Sequence, residues 1–211
     1  MGRATRVRRD DLRALVRARV PRGAQAARGT ATIAGGRVPR ARPPRTIRAV
    51  IAVVDVHYED DVARAACVVV DAWTSTAPRA ERVILRRGVA PYVPGSFWLR
   101  ELPPTLDVLA ALDAPPGVIV VDGHVWLAAG APGFGARLSD ARGGAVVVGV
   151  AKSPFRGAPA VPVLRGASAR PLWVSATGMD PDEAARHVRA MAGPHRIPTI
   201  LGRADALSRG Y

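Results

Sequence analysis

Three runs of consecutive apolar residues constrain this chain most, and they span residues 49–54, 118–121 and 145–150. Continuous apolar strands of this kind are expected where helices cover both faces of a sheet. None of the runs approaches the ~20 apolar residues that a membrane-spanning helix requires, so no membrane is expected as a partner. The runs therefore predict an α/β fold with a mixed central sheet.

Two further strands are predicted over residues 64–72 and 80–88, and together with the first apolar run they suggest an antiparallel meander. Pro103 and Pro104 are expected in the first turn of a helix over residues 101–112, where proline is tolerated. A meander followed by alternating strands and helices is typical of a mixed α/β sheet. The other predicted elements are a helix near 134–142, a strand over 172–175 and a helix from Asp180, its N-cap, to Met191.

The positive charge lies mostly at one end of the chain. The net charge is +14, and residues 1–48 contain 14 arginines but only two acids. Residues 1–45 are predicted to be a flexible basic arm, with a short helix and a Pro/Gly/Arg-rich linker, ahead of a folded domain over residues 46–211. Such an arm adds sequence-independent affinity for a phosphate backbone. A solvated tail and a transit peptide are the alternative interpretations of the same composition.

Cysteine and lysine each occur once in the chain. Cys67 lies in an apolar run, so we expect it to be buried. A single cysteine allows no internal disulfide bond, and a reducing cytoplasm is the compartment that this favours. Of the 31 basic residues, 30 are arginine and the remaining one is Lys152.

Two of the predicted strands end on an acidic residue, Asp55 and Asp122. If the strands are neighbours, both carboxylates lie at the edge where open α/β sheets place ligand sites. Close carboxylates repel, and Mg²⁺ resolves this conflict because it prefers oxygen ligands and keeps waters for a substrate phosphate. Taken alone, such an acid is more often a helix cap or a turn former. Glu101 and His124 are the other candidates, with a helix N-terminus and a turn as their ordinary roles.

Read in series, several short motifs resemble the endonuclease V family. Their order and spacing agree with the family from about residue 49 to the end of the chain. The proline-framed stretch that leads to an Arg-Glu pair is the most specific of them. The motifs are VDVHY at 54–58, PYVPGSFWLRELP at 91–103, VDGH at 121–124, GVAKS at 149–153, RIP at 196–198 and RAD at 203–205.

The resemblance implies a ribonuclease H-like fold and a nuclease that depends on Mg²⁺, with Mn²⁺ as a possible substitute. It further implies cleavage of DNA or RNA at the second phosphodiester bond 3′ to hypoxanthine (inosine), and a role in DNA repair. A monomer is expected. Carried over residue by residue, the family pattern makes Asp55, Asp122 and Glu101 the acids of the metal site, and Lys152 and Asp205 further catalytic residues. It makes Tyr92 the wedge that replaces the extruded base. The remaining expected substrate contacts are Pro91, Gly95 and His124.

The sequence also departs from the family pattern near the expected site. Ala128, Ala129 and Gly130 stand where the family usually has His-Pro-Arg, and Met179 stands where a histidine is expected. These changes remove polar and basic groups, while the acidic set is kept. Two alternatives therefore stand beside the leading hypothesis: a nucleic-acid-binding protein with little catalysis, and a nuclease whose specificity has moved to flaps, mismatches or structured RNA.

Overall fold

The computed structural model describes residues 50–91, 93 and 96–211. The predictions made for residues 1–45, for Tyr92 and for Gly95 lie outside these residues. The described strands form one seven-stranded sheet in the order β3-β2-β1-β4-β7-β9-β8, together with a separate β5-β6 hairpin.

The predicted antiparallel meander is confirmed, but its first strand is longer than the sequence indicated. β1 (Ile51–Glu59), β2 (Val62–Val70) and β3 (Ala80–Arg87) follow one another and pair antiparallel. The apolar run predicted an end at Asp55, whereas β1 continues because residues 55–59 pair with β2. Asp55 therefore lies within a strand that is paired on its β2 side.

The apolar runs 118–121 and 145–150 form the strands predicted for them. β4 (Val118–Asp122) pairs parallel to β1, and β7 (Val146–Ala151) pairs parallel to β4. β9 (Leu172–Thr177) then pairs antiparallel to β7, and the short β8 (Val161–Val163), which was not predicted, closes the sheet. Three antiparallel strands followed by parallel ones are the ribonuclease H-like arrangement that the resemblance implied.

Helices cover both faces of the sheet, as predicted. Alternate residues of β1 show this: Ala52 and Val54 pack in one apolar cluster, and Ile51 and Val53 pack in the other. The first cluster includes residues of α1 (Trp98–Ala110) and α2 (Phe134–Ala141), and the second includes residues of α3 (Pro181–Ala190) and α4 (Thr199–Ser208). Successive side chains of a strand point to opposite faces of the sheet, and on β1 these side chains are buried on both faces.

Helix α1 begins at Trp98, three residues before the predicted start. Pro103 and Pro104 therefore lie in its second turn, which corrects the placement in the first turn. A proline inside a helix removes the amide hydrogen that would bind the carbonyl four residues earlier. For Pro104 that carbonyl belongs to Arg100, and the Tyr58 hydroxyl donates to it at 3.1 Å. A side chain from β1 thus satisfies the acceptor that the proline leaves open.

Several local predictions are confirmed. Asp180 is the N-cap of α3, since its side chain accepts a hydrogen bond from the Glu183 amide at 3.0 Å. Cys67 is fully buried. Helix α4 and the hairpin of β5 (Trp126–Ala128) and β6 (Ala131–Pro132) were not predicted. Among the described residues, no helix is long and apolar enough to span a bilayer.

Candidate active site

Asp55 and Asp122 lie side by side at one edge of the sheet. Val54 of β1 is in parallel register with Val121 of β4, so the next residue of each strand is an aspartate at the same level. Burial raises the pKa of the Asp55 carboxyl, a hydrogen bond from Ser208 opposes this, and the charge of Asp122 raises the pKa further. The two carboxylates are therefore close enough for their charges to interact electrostatically.

Lys152 brings a positive charge to these carboxylates. It follows β7 directly, and its Nζ lies 2.7 Å from Oδ2 of Asp122 and 3.9 Å from Oδ1 of Asp205. Burial lowers the pKa of Lys152, but the hydrogen bond and charge of Asp122 and the charge of Asp205 outweigh it and raise the pKa overall. The Lys152 side chain is half exposed, so an anion in solution can also reach its charged ammonium group.

Glu101 approaches from α1 and is almost fully buried, with 8% of its surface exposed. Burial, together with the charges of Asp55 and Asp122, raises the pKa of Glu101 to about 7. The Tyr58 hydroxyl, whose one hydrogen is shared between Glu101 and the Arg100 carbonyl, opposes the rise. The guanidinium of Arg100 lies 4.1 Å above the Tyr58 ring, which fixes this aromatic side chain between the helix and the sheet. Glu101 can therefore take up or release a proton near neutral pH.

Asp205 reaches the same edge from α4 on the opposite face. Its carboxylate accepts two hydrogen bonds from Arg209, at 3.0 and 3.2 Å. These bonds lower the pKa of Asp205, and the positive charge of Lys152 lowers it further. In the same helical turn, the Ser208 hydroxyl lies 2.5 Å from Oδ2 of Asp55. Neither Ser208 nor Arg209 was singled out from the sequence, because no helix was predicted there.

The loops after β4 and β7 are held against each other. Nε2 of His124 lies 3.0 Å from the carbonyl oxygen of Ser153, so this predicted substrate contact joins the loop after Asp122 to the loop after Lys152. Gly149 permits the close approach, because a Cβ there would lie 2.4 Å from the carbonyl oxygen of Gly123. Larger residues at position 149 would push apart the two segments that carry Asp122 and Lys152.

A cavity of about 240 Å³ opens beside the carboxylates. Its polar part consists of Asp55, Asp122, Lys152 and Asp205, and the rest of its lining is largely apolar. Five of the predicted site residues, Glu101 included, thus lie at one edge of the sheet. Pro91 is exposed in the loop that precedes α1, and Tyr92 and Gly95 lie outside the described residues.

The charges of this cluster fit a divalent cation. Within the described part of the chain, no three histidine, cysteine or acidic side chains are grouped closely enough to hold one ion by themselves. Mg²⁺ does not need such a group, because it commonly binds one or two carboxylates and completes its shell with water and substrate oxygens. Asp55 and Asp122 offer two hard oxygen donors. Burial, together with the charges of the neighbouring carboxylates, raises the pKa values of Asp55 and Glu101, and a bound cation would oppose both effects.

Ala128 and Gly130 lie in a tight β-hairpin. Ala128 ends β5 and pairs with Ala131 of β6, and Gly130 adopts a φ of 72° in the turn between them. That conformation favours glycine over residues with a side chain. The nearby loop after β7 approaches this hairpin, since a Cβ on Gly157 would lie 3.9 Å from the Ala128 side chain.

Comparison with known proteins gives a consistent result. The family model for endonuclease V matches residues 36–166. Endonuclease V of Streptomyces avermitilis is 38% identical over 190 residues, which cover 79% of this chain and 81% of that protein. Its crystal structure matches with a TM-score of 0.63 and 35% identity, over 76% of this chain and 79% of that one. The fold is also that of endonuclease V from Ciona intestinalis, whose structure was solved with an inosine-containing DNA. The two structures match with a TM-score of 0.66 and 20% identity, over 78% of this chain and 86% of that one.

Proposed function

Because the chain belongs to the endonuclease V family, whose members are endonucleases, we propose that it hydrolyses phosphodiester bonds in DNA or RNA that contains hypoxanthine (inosine). The proposed cleavage is at the second phosphodiester bond 3′ to the altered base, and the proposed role is repair of deaminated DNA. The observation that carries the proposal is the convergence of Asp55, Asp122 and Glu101 with Lys152 at one sheet edge. Binding of nucleic acid alone needs no carboxylate cluster beside a phosphate.

Asp55 and Asp122 are the residues proposed to hold Mg²⁺, or Mn²⁺ in its place. When bound, such an ion supplies an activated water and neutralises charge on the reacting phosphate. Lys152, hydrogen-bonded to Asp122 at 2.7 Å, is placed to orient a non-bridging phosphate oxygen as a compact positive charge. Asp55 and Asp122 lie on adjacent strands and Lys152 directly follows the next one, so the sheet sets their spacing.

Glu101 and Asp205 have complementary proton-handling roles in this proposal. Burial raises the pKa of Glu101, so this carboxylate is a better proton acceptor than an exposed one and can accept a proton from the attacking water. Arg209 holds the pKa of Asp205 below its ordinary value, so Asp205 stays ionised and can orient Lys152. Tyr92 remains the residue proposed to fill the gap when the altered base leaves the stack.

We also propose that the protein acts in a reducing compartment, the cytoplasm. The support is its single, fully buried cysteine, which is typical of proteins that do not depend on disulfide bonds.

The first experiment is a strand-cleavage assay on matched duplexes with and without one inosine, in Mg²⁺ and in EDTA. Metal-dependent cutting one nucleotide beyond the inosine is the expected result, and RNA versions of both duplexes then give the preference between DNA and RNA. Binding without cutting in either Mg²⁺ or Mn²⁺ would refute the proposed activity.

A nuclease with shifted specificity is the second candidate, and the hairpin at Ala128–Gly130 favours it. The turn there offers one methyl side chain at each alanine and none at Gly130. It thus lacks the polar and basic groups that the family pattern places next to the site. Efficient cutting of flaps or mismatches, with weak cutting at inosine, would support this candidate over the first.

A further inference from the structure

The hydroxyl of Ser208 touches the reactive cluster, although none of the steps proposed above uses it. Ser208 is fully buried at the end of α4. Its Oγ lies 2.5 Å from Oδ2 of Asp55 and 2.8 Å from the carbonyl oxygen of Asp205. Among the described residues, Ser208 is the hydrogen-bond donor to the Asp55 carboxylate. A buried hydroxyl in this position restricts how that carboxylate can rotate.

A serine hydroxyl has one hydrogen, so it can donate to only one of these two acceptors at a time. The Asp205 carbonyl is three residues back in the same helix, a common local acceptor for serine. An ionised carboxylate is the stronger acceptor, because hydrogen bonds to charged groups are shorter and about twice as strong as neutral ones. Donation to Asp55 therefore prevails when Asp55 is ionised. The bond engages Oδ2 of Asp55, a residue that also lines the cavity beside the carboxylates.

The same turn of α4 also orients a second carboxylate. Arg209, the next residue, donates two hydrogen bonds to Asp205 at 3.0 and 3.2 Å. Ser208 and Arg209 thus fix one acid on the strand and one on the helix, and both acids interact electrostatically with Lys152. A helix end that packs against β1 can hold these groups more rigidly than a loop could.

We propose that Ser208 is a positioning residue, whose hydroxyl holds the Asp55 carboxylate in the orientation that binds a divalent cation. This inference rests on the proposed function, because it assumes that Asp55 is a metal ligand. Partners that orient metal ligands matter energetically: losing one typically weakens metal binding by about 10- to 100-fold.

The test measures Mn²⁺ binding to the full-length protein by electron paramagnetic resonance, without nucleic acid. Ser208→Ala should raise the Mn²⁺ dissociation constant by about 10- to 100-fold. In cleavage assays the same variant should need correspondingly more Mn²⁺ for half-maximal rate, and saturating Mn²⁺ should restore kcat to near the wild-type value. A role in folding alone would lower the thermal stability without changing the Mn²⁺ dissociation constant of the folded protein.

Ser139→Ala is the matched control. Ser139 is also a buried helical serine, and its hydroxyl donates to the Ala145 carbonyl at 2.7 Å, in α2 on the other face of the sheet. Ser139→Ala should lower thermal stability without changing the Mn²⁺ dissociation constant. If Ser208→Ala does not fold, Ser208→Cys replaces it, because the thiol is similar in size and only a weak donor, and it should also weaken Mn²⁺ binding.

The outcomes separate this inference from the proposed function. Wild-type Mn²⁺ affinity in a folded Ser208 variant would overturn the role of Ser208 and leave the proposed activity intact. A wild-type protein that binds Mn²⁺ but cuts no inosine substrate would overturn the activity, while the role of Ser208 in metal binding could still be confirmed. A wild-type protein that neither binds Mn²⁺ nor cuts the inosine substrate would overturn both.

Discussion

Two helices deliver a carboxylate to the same sheet edge from opposite faces, and they do so in opposite electrostatic ways. Glu101 of α1 is buried, and its pKa is raised to about 7. Asp205 of α4 has 36% of its side chain exposed, and its bonds with Arg209 lower its pKa. Burial thus opposes the ionisation of Glu101, whereas Arg209 stabilises the ionised form of Asp205.

This difference in pKa indicates on which side of the site an added positive charge would be most favourable. Burying a carboxylate without a cation is unfavourable, and a protein keeps such an arrangement when function requires it. Under the proposed function, a bound cation would stabilise the ionised form of Glu101 on the α1 side, where the charge of Arg100 does not outweigh burial. On the α4 side, Arg209 and Lys152 already stabilise the ionised form of Asp205. The following tests probe this asymmetry, from the largest expected effect to the smallest.

Asp122 lies between the two sides and contacts Lys152, so its loss should affect the site most. Asp122→Asn should lower the cleavage rate by about 1000-fold or more, because a metal ligand contributes several kcal/mol to transition-state stabilisation. Nucleic-acid binding, measured by fluorescence anisotropy, should change by less than about threefold, since most of the affinity comes from phosphate contacts. Asp140→Asn, at an exposed acid of α2, is the control and should cut at the normal rate. Cleavage at the parent rate by Asp122→Asn would contradict the site assignment.

Glu101→Gln tests the buried side through the pH dependence of stability in EDTA. The folded-state pKa of Glu101 is raised from 4.5 to about 7. Its protonated form therefore stabilises the fold at low pH, and that stability is lost as the pH rises to about 7. Glutamine cannot ionise, so the variant should match the parent at pH 4 and exceed its free energy of unfolding by about 3 kcal/mol at pH 8.

Urea denaturation at both pH values measures this effect. Asp205→Asn is the comparison on the other side. Because the pKa of Asp205 is lowered, its contribution to stability is present above its unfolded-state pKa and lost in acid, so its asparagine variant should not gain stability at pH 8. Parallel pH profiles for the parent and Glu101→Gln would show that Glu101 carries no burial penalty.

Tyr58→Phe tests how much the hydrogen bond between the Tyr58 hydroxyl and helix α1 stabilises the protein. The Tyr58 hydroxyl serves the Arg100 carbonyl, which Pro104 leaves without its helical donor. Its removal leaves a partly buried acceptor unpaired and should lower the free energy of unfolding by about 1–2 kcal/mol. Tyr211→Phe, at a residue that is 83% exposed, should leave stability unchanged. Equal stability of Tyr58→Phe and the parent would mean that solvent replaces the lost donor.

Arg209→Ala should give the smallest effect, because exposed ion pairs contribute little. Asp205 stays ionised at neutral pH even without Arg209, so the cleavage rate at pH 7.5 should change by less than about threefold. Below neutral pH the rate should fall earlier than in the parent, because the pKa of Asp205 is no longer lowered by Arg209. A pH–rate profile shows this directly. A large loss at pH 7.5 would mean that Arg209 acts on the substrate itself.

The sequence predicted the strands and the strand-borne part of the site well. Runs such as 118–121 are continuous and apolar, so the sequence pattern of each run by itself indicates a buried strand. Once they are neighbouring parallel strands, Asp55 and Asp122 must meet at one edge, as the register with Val54 and Val121 shows. The resemblance to the family motifs implied that Glu101, Lys152 and Asp205 belong to the same site, and the structure brings all five residues together.

Helix α4 shows what local patterns could not predict. It has few buried residues (Ile200, Ala204 and Ser208), so its apolar periodicity is weak and its stability comes from packing on the sheet. Residues 55–59 were likewise missed as part of β1, because their pairing with β2 and not their composition makes them a strand.

The sequence by itself therefore determined the core strands, the sheet class and the two strand-end acids through local periodicity, and the resemblance to the family motifs implied the remaining acids of the site. Only the tertiary structure decided how those acids are held. Ser208 and Asp55 are 153 positions apart, and Glu101 acquires its raised pKa from burial against β1. Such contacts and burial depend on how distant segments pack, which no local pattern encodes.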